Sequence, residues 1–430
     1  MKTFFLELLP AEKIRLLIFS GVSAFVKLLV GFVTIKLYAI FIGPEGLALT
    51  GNISNLITLL TSIASLGIST GVVKYVAEYK SDTNRLKSII STGFKVILIA
   101  SSSTMLVVLS FSSILSSKTL YSIDYFGIML ILGFSLPLTM LNVYISNILN
   151  GHKSLGKLMQ VNVALGLFTL LFITSFIWLW GLKGAFVAII LSPAVSIVFT
   201  AYIVRNEYWF NRSYFFSSFD ISAFRSFMTF SFMAGVSALL IPSTQFFIRN
   251  LIVTNLSVGD AGEWEAVNRM SNAYLSVITA TLSVYYLPRL SEIKYRSELL
   301  REIRLMALLV LPFLFLLQLL IYIYRDEVVY LLFSSEFLTI RTLFLSQLIG
   351  DFFRVASWIF AYLIIARAMI KTYIVTELFS AICYLLFAYF LIPYNGLHGV
   401  IVAYVIDFIL YFLLLFFLFS YFYSKGKFIQ

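Results

Sequence analysis

The sequence predicts an all-α polytopic membrane protein, with about twelve transmembrane helices in two parallel-repeat six-helix bundles around a central cavity. Three observations carry that prediction. Apolar runs of about twenty residues, long enough to cross a hydrocarbon core, recur along the whole chain. Hydrophobic residues make up 60% of the sequence and charged residues only 12%, where soluble domains carry about half and a quarter. Glycine-bounded turns recur in pairs half a chain apart. Outer-membrane barrels are excluded, because their strands alternate polar and apolar residues.

The first span is expected over 15–41, behind a short amphipathic lead-in, MKTFFLELLPAEKIRLLIFS. That lead-in has no small-residue cleavage pattern after an apolar core, so it does not read as a cleaved signal peptide. Further spans are expected at 46–78, 88–113, 124–149, 158–180 and 183–204. A second set follows at 223–254, 262–288, 304–324, 340–366, 371–392 and 398–423. Residues 325–339 are too short to cross and are expected at the interface.

Lys and Arg in the loops set the orientation. With the N-terminus in the cytoplasm, inside loops hold twenty basic residues and outside loops only Lys118, Lys183, Arg325 and Arg341. Both termini are therefore expected in the cytoplasm. The net charge of +11 belongs to this loop bias and not to nucleic-acid binding. No loop is long enough to form a domain. The expected organisation is a bundle at 1–204, a cytoplasmic linker at 205–222 and a second bundle at 223–430.

The repeat rests on four turns. Gly43-Pro44-Glu45-Gly46 and Gly259-Asp260-Ala261-Gly262 lie 216 residues apart, between matching spans. Gly181-Leu182-Lys183-Gly184 and Gly396-Leu397-His398-Gly399 lie 215 apart. One such turn means little, since glycine is the usual turn residue. Two pairs at matching hairpins indicate two halves of one fold. Asn52 and Asn268 each follow the closing glycine by six residues. Parallel repeats of this kind place a transported substrate between the halves.

Charges inside spans mark cavities or partners, because each is costly in hydrocarbon. The basic ones are Lys27, Lys36, Lys74, Lys95, Arg249, Arg269 and Arg354; the acidic ones are Glu265, Asp351, Glu377 and Asp407. Lys36, Lys74, Lys95 and Arg249 lie near span ends, where snorkelling to the headgroups is the plainer alternative. Lys27, Asp351 and Arg354 lie near the middle. Glu265, Asn268, Arg269 and Asn272 share one helix face by their i, i+3, i+4, i+7 spacing. Gln347, Asp351 and Arg354 do the same on another helix. In the second span, Asn52, Asn55 and Ser62 form a thinner stripe, with Lys74 within about 40° of Asn52 on a continuous helix.

Two readings stand for these residues. The acid–base neighbours Glu265/Arg269 and Asp351/Arg354 are either helix ion pairs or parts of a net-basic cavity. Such a cavity suits an anionic headgroup, which Lys27, Lys74, Arg249, Arg269 and Arg354 would hold by charge-assisted hydrogen bonds. Asn52, Asn55, Asn268 and Asn272 either join helices or offer amides to sugar hydroxyls. Asp351, Glu265, Glu377 and Asp407 are the candidates for ion or proton coupling. Glu377 and Asp407 lie near several tyrosines, so each is alternatively a neutral acid bonded to a phenol. No catalytic set and no cofactor are expected. No metal site is expected either, with Cys383 the only cysteine and His152 and His398 far apart.

Four stretches resemble a known family: GPEGLALTGNISNLITLL (43–60), GVVKYVAEYKSD (71–82), NAYLSVITATLSVYYLPRLSEI (272–293) and QLIGDFFRVASWIFAYLIIARAMIKTYIVTE (347–377). Together they resemble the Wzx-type flippases of the polysaccharide transporter branch of the MOP superfamily, nearest to those that move enterobacterial common antigen lipid III or O-antigen units. The resemblance runs over nearly the whole chain in order. It implies a fold like that of MATE and MurJ transporters. It also implies an undecaprenyl-diphosphate-linked oligosaccharide as substrate, moved to the periplasmic leaflet with ion or proton coupling. A glycan polymerase and a chain-length regulator are the protein partners it suggests.

Two other classes compete. A drug or cation exporter of the same superfamily would want an acidic or apolar cavity. An integral-membrane enzyme, such as a glycan polymerase, would carry a sizeable extramembrane loop or paired carboxylates at a membrane face, and this sequence has neither.

Overall fold

In lipid, each backbone N–H and C=O must find its partner within the segment, which for an isolated span means a helix. The computed structural model describes residues 26 and 28–425, and every regular element among them is helical. The elements are α1 (Leu28–Phe41), α2 (Gly43–Ser65), α3 (Ser69–Glu78), α4 (Thr83–Ser110), α5 (Ser112–Thr119), α6 (Phe126–Gly151) and α7 (Leu155–Val204). Then come α8 (Arg212–Phe215), α9 (Ile221–Asn255), α10 (Val258–Thr281), α11 (Leu287–Glu292) and α12 (Arg296–Ile323). The chain ends with α13 (Arg325–Leu332), α14 (Phe344–Ala366) and α15 (Ile370–Ser424). The amphipathic lead-in and the start of the first span lie outside the described residues.

Seven helices among the described residues are long and apolar enough to cross a membrane. Two of them, α7 and α15, are double crossings. α7 breaks at Gly181 (φ 56°, ψ −130°) and α15 at Gly396 (φ 57°, ψ −137°), a backbone region essentially confined to glycine. Three residues later the chain has already doubled back. A Cβ on Gly184 would strike the carbonyl of Phe176, and one on Gly399 the carbonyl of Leu391. Residues eight apart are about 12 Å apart along a straight helix, so each contact requires an antiparallel hairpin. With α1, α9 and the α10–α11 stretch, the described helices fall where the twelve spans are expected. Trp178, Trp180 and Tyr394 stand exposed beside the two hairpin tips, as interfacial aromatics do. Along α12, Leu308, Leu309, Phe313, Leu316 and Leu320 are all more than half exposed, a surface suited to lipid and not to water.

The structure differs from the sequence reading in three places. The second span is broken, because Leu66 (φ 46°) and Gly67 (φ 66°) are left-handed and separate α2 from α3. The angular register from Asn52 to Lys74 is therefore lost. Of the repeated turns, the later pair shares its backbone geometry but the earlier pair does not. Gly43 is left-handed (φ 61°), whereas Gly259 sits in the first turn of α10 behind the Ser257 cap. Finally, the eighth span passes through a π-helical stretch, Leu282–Tyr286, before α11. Pro288 opens α11 and, lacking an N–H, cannot bond back to the preceding turn.

The described chain forms two compact units. One contains Asn52–Leu239 with the chain before Tyr38; the other contains Tyr38–Gly51 and the chain from Leu240 onward. In the first, α6 packs on α3, α4 and α7 around Val72, Ile90, Ile97, Tyr144 and Ile148. The segment between α7 and α9 folds onto this core. Its Trp209 is buried and stacks on the His152 ring at 5.7 Å, Asp220 pairs with Arg85 at 2.5 Å, and the Ser217 carbonyl accepts from Lys95 Nζ at 2.7 Å. In the second unit, α14 packs on α10, α12 and α15, with Leu275, Leu299, Val355 and Ile359 in the core.

Two predictions follow from this packing. Gly399→Ala should destabilise the protein by about 1–3 kcal/mol through overpacking, whereas Gly127→Ala, where a Cβ meets nothing within 4 Å, should leave the melting temperature in detergent unchanged. Equal melting of both variants would show that the hairpin tolerates a wider turn. The second concerns His152, outside the spans, whose imidazole is pushed down to about 4 by burial and by the nearby charge of Lys80. Between pH 6.5 and 4 the unfolded state binds the proton that the folded state refuses, so stability falls as pH falls. His152→Gln should flatten that slope in a thermal-melt series, and an unchanged slope would exclude His152 as its source.

Candidate functional site

The polar residues of the second unit converge on two helices. α10 starts at Ser257, whose hydroxyl accepts from the Asp260 N–H at 3.0 Å. Its helical period then places Glu265, Asn268, Arg269 and Asn272 along one face, with Ser271 and Tyr274 turned toward α14. α14 presents Gln347, Asp351 and Arg354. These two faces build three connected groups.

The first group is centred on Glu265. This carboxylate lies between two guanidinium groups: Arg249 Nη2 forms a very short bond to one oxygen, and Arg269 Nε donates to the other at 2.7 Å. Arg249 is 0% exposed, so it does not snorkel. It belongs to a buried ion pair between α9 and α10. Arg269 also donates to Thr50 Oγ1 at 3.2 Å and lies over the Tyr38 ring at 5.4 Å. Gly51 admits this cluster by lacking a side chain, since a Cβ there would meet Arg249 Nη2 and the Glu265 carboxyl at 2.7 Å.

The second group surrounds Asp351, which is 0% exposed. Its oxygens accept from Ser271 at 2.6 Å, Tyr404 at 2.7 Å and Gln347 at 3.3 Å, and from Tyr274 in a very short bond. Asp351 and Arg354 do not pair directly. Arg354 Nη1 donates to the Tyr404 hydroxyl at 3.3 Å, which itself donates to Asp351. The same Nη1 reaches Asn272 Oδ1 at 3.3 Å. The guanidinium lies against the rings of Trp358 and Phe408, at 5.1 and 5.6 Å.

The third group faces a cavity of about 140 Å³ whose lining includes Asn268, Arg354, Trp358, Glu377, Tyr404 and Asp407. Glu377 accepts from the Tyr411 hydroxyl at 2.9 Å. Asp407 is 2% exposed; its Oδ2 accepts from Ser380 at 3.0 Å, while its Oδ1 has no hydrogen-bond partner among the described residues. Asn268, which lines the same cavity, donates to the Trp264 carbonyl at 3.0 Å. One cation, two carboxylates, the amides of Gln245 and Asn268 and several rings thus share one pocket. Within it, Arg354 is the group that can hold an anion, and the amides can bond to hydroxyls.

The remaining candidates lie elsewhere. Asn52 and Asn55 belong to the first unit. Asn52 is 0% exposed and donates to the Thr119 carbonyl at 2.7 Å, which joins α2 to α5. Asn55 is partly buried, with its Nδ2 unpartnered among the described residues. Lys74 is exposed on α3, with Nζ 5.0 Å from the Tyr75 ring centre. Lys27 lies outside the described residues. Sequence reasoning missed Ser271, Tyr274 and Ser380 as carboxylate partners and Trp358 as the plate under Arg354. Ser271 and Tyr274 follow Asn268 at helical steps, and Trp358 follows Arg354 at i+4, so the spacing was there to be read. The bond from Arg249 to Glu265 had no local signal, because it joins two helices.

The family described as polysaccharide biosynthesis protein matches residues 15–294. Lipid III flippases of Escherichia coli (strain K12) and Shigella flexneri are 30% identical over 387 residues, 90% of this chain and 93% of theirs. An inward-facing MATE multidrug transporter of the MOP superfamily superposes with a TM-score of 0.79 at 16% identity, covering 94% of this chain and 99% of its own. The lipid II flippase MurJ, inward closed, superposes at 0.75 with 14% identity, over 94% and 87% of the two chains. The structural likenesses give the fold, and the sequence matches give the family. The chain belongs to the polysaccharide biosynthesis protein family and has the multi-span fold of MATE and MurJ transporters.

Proposed function

We infer that the protein is a flippase for an undecaprenyl-diphosphate-linked oligosaccharide, either lipid III of enterobacterial common antigen or an O-antigen unit. It moves this lipid from the cytoplasmic to the periplasmic leaflet of the inner membrane by alternating access, with both termini cytoplasmic and six-helix halves at 1–204 and 223–430 joined through 205–222. The observation that carries this reading is Arg354 in its pocket. A guanidinium lying over the Trp358 and Phe408 rings, with Asn268 and Asn272 nearby, offers charge-assisted bonds to a phosphate and amide and aromatic contacts to a sugar. The 30% identity to lipid III flippases over nine tenths of the chain selects the substrate class. Arg249 and Arg269 exceed their shared partner Glu265 by one charge and add to the positive potential.

The coupling group this geometry favours is Asp407. Asp351 already accepts four hydrogen bonds, so loading it displaces a protein donor. Asp407 Oδ1 can take a proton or a small cation without displacing one. A drug exporter of the same fold is the competing reading, and it leaves the paired amides and Arg354 without a role. A glycan polymerase and a chain-length regulator are the partners expected to act on the flipped lipid.

Expression in a strain lacking its common-antigen or O-antigen flippase should restore surface glycan. Drug resistance without glycan rescue would reject the reading. Arg354→Ala, Arg269→Ala and Asp351→Asn should each impair export at normal protein level, and wild-type export by all three would move the substrate site elsewhere. In proteoliposomes, transport should depend on a proton or cation gradient and lose that dependence in Asp407→Asn. Transport indifferent to every ionophore would exclude coupling.

A further inference from the structure

The segment between α7 and α9 combines exposed cations with an apolar groove. It reads RNEYWFNRSYFFSSFD over 205–220 and lies against the first unit. Its two carboxylates are both occupied: Glu207 pairs with Lys157 at 2.6 Å and Asp220 with Arg85 at 2.5 Å. Its two guanidinium groups are not. Arg205 and Arg212 are exposed and form no ion pair among the described residues; they lie over the Tyr202 and Phe216 rings, at 4.0 and 5.7 Å. Lys95 and Lys87 add charge from α4. The former is bonded to the Ser217 carbonyl, and the latter lies 5.3 Å from the Tyr214 ring centre.

Beside Arg212 opens a groove of about 330 Å³. Its walls are Phe94 of α4, Ile145 of α6, Ile197 and Ala201 of α7, and Phe215 of the segment, and Arg212 is the one charged side chain lining it. Ile197 lies seven residues before the end of α7 at Val204, about 10 Å along the helix. The groove therefore spans the depth at which a lipid passes from headgroup to acyl chain. A water-filled apolar slot would be unfavourable at that depth, and an acyl chain fills it without cost to any polar group. Basic pockets between membrane helices select anionic headgroups, and a guanidinium binds a phosphate diester through paired N–H donors.

The geometry points to a phospholipid site, specific for an anionic headgroup, in which Arg212 and Arg205 hold the phosphate and the groove between α4, α6 and α7 holds one acyl chain. The occupant is a lipid of the surrounding bilayer. It is distinct from the lipid carried by the second unit's Arg354 pocket.

Native mass spectrometry of the delipidated full chain tests this, with dioleoyl phosphatidylglycerol and dioleoyl phosphatidylcholine added in equal amounts. The wild type should retain phosphatidylglycerol in preference. Arg212→Gln, an exposed change that leaves the core intact, should reduce that preference about fivefold, the effect of one basic group at a membrane surface. Ala201→Trp, which fills the groove, should remove the tightly held lipid of either kind while keeping the wild-type melting temperature. Equal retention of the two lipids by the wild type would overturn the proposal, as would a preference unchanged in both variants. Displacement of phosphatidylglycerol by an equal amount of undecaprenyl phosphate would also overturn it, by assigning the groove to an isoprenoid lipid.

Discussion

A charge inside hydrocarbon needs a partner, and the second unit is organised by that need. Arg249 has no exposure at all. Glu265 meets it from the next helix, and the Trp264 ring lies against it at 5.2 Å. Breaking such a pair by removing one partner costs about 3–5 kcal/mol, because it strands the other charge. Glu265 also holds Arg269, so one carboxylate orients two guanidinium groups. The small residue Gly51 leaves the space this cluster occupies. Helix order, side-chain size and charge placement therefore depend on a single acid.

The same logic extends to α14. Asp351 is saturated by donors from α10, α14 itself and α15. That network ties three helices together and passes through Tyr404 to Arg354. The arrangement separates structural charge from available charge. Glu265 and Asp351 are fully engaged, whereas Arg354 and Asp407 keep a face on the cavity. A transporter needs both kinds, since a rigid frame must surround groups that can exchange partners.

The first unit solves a different problem. Its core is apolar, and its connection to the second half is not a loose tether. Trp209, Tyr214, Ser217 and Asp220 all dock on α4, α6 or the turn after α6. Arg205 and Arg212, left over by that docking, stay exposed, and Arg212 lines an apolar groove.

The helical spans were legible in the sequence because a span must be helical and about twenty residues long. Gly181 and Gly396 announced their hairpins by spacing alone, since only glycine can make that turn. The polar face of α10 followed from its helical period. Other features needed the folded chain. The break at Leu66–Gly67 contradicts an unbroken apolar run and has no proline to mark it. Asn52 and Asn268 occupy matching places in the sequence, yet one joins α2 to α5 and the other lines a pocket. Periodicity assigns a residue to a face of its own helix, but the identity of the facing helix is a property of packing between distant segments. The pairing of Arg249 with Glu265, and the placement of Tyr404 between Asp351 and Arg354, were therefore decided by tertiary structure alone.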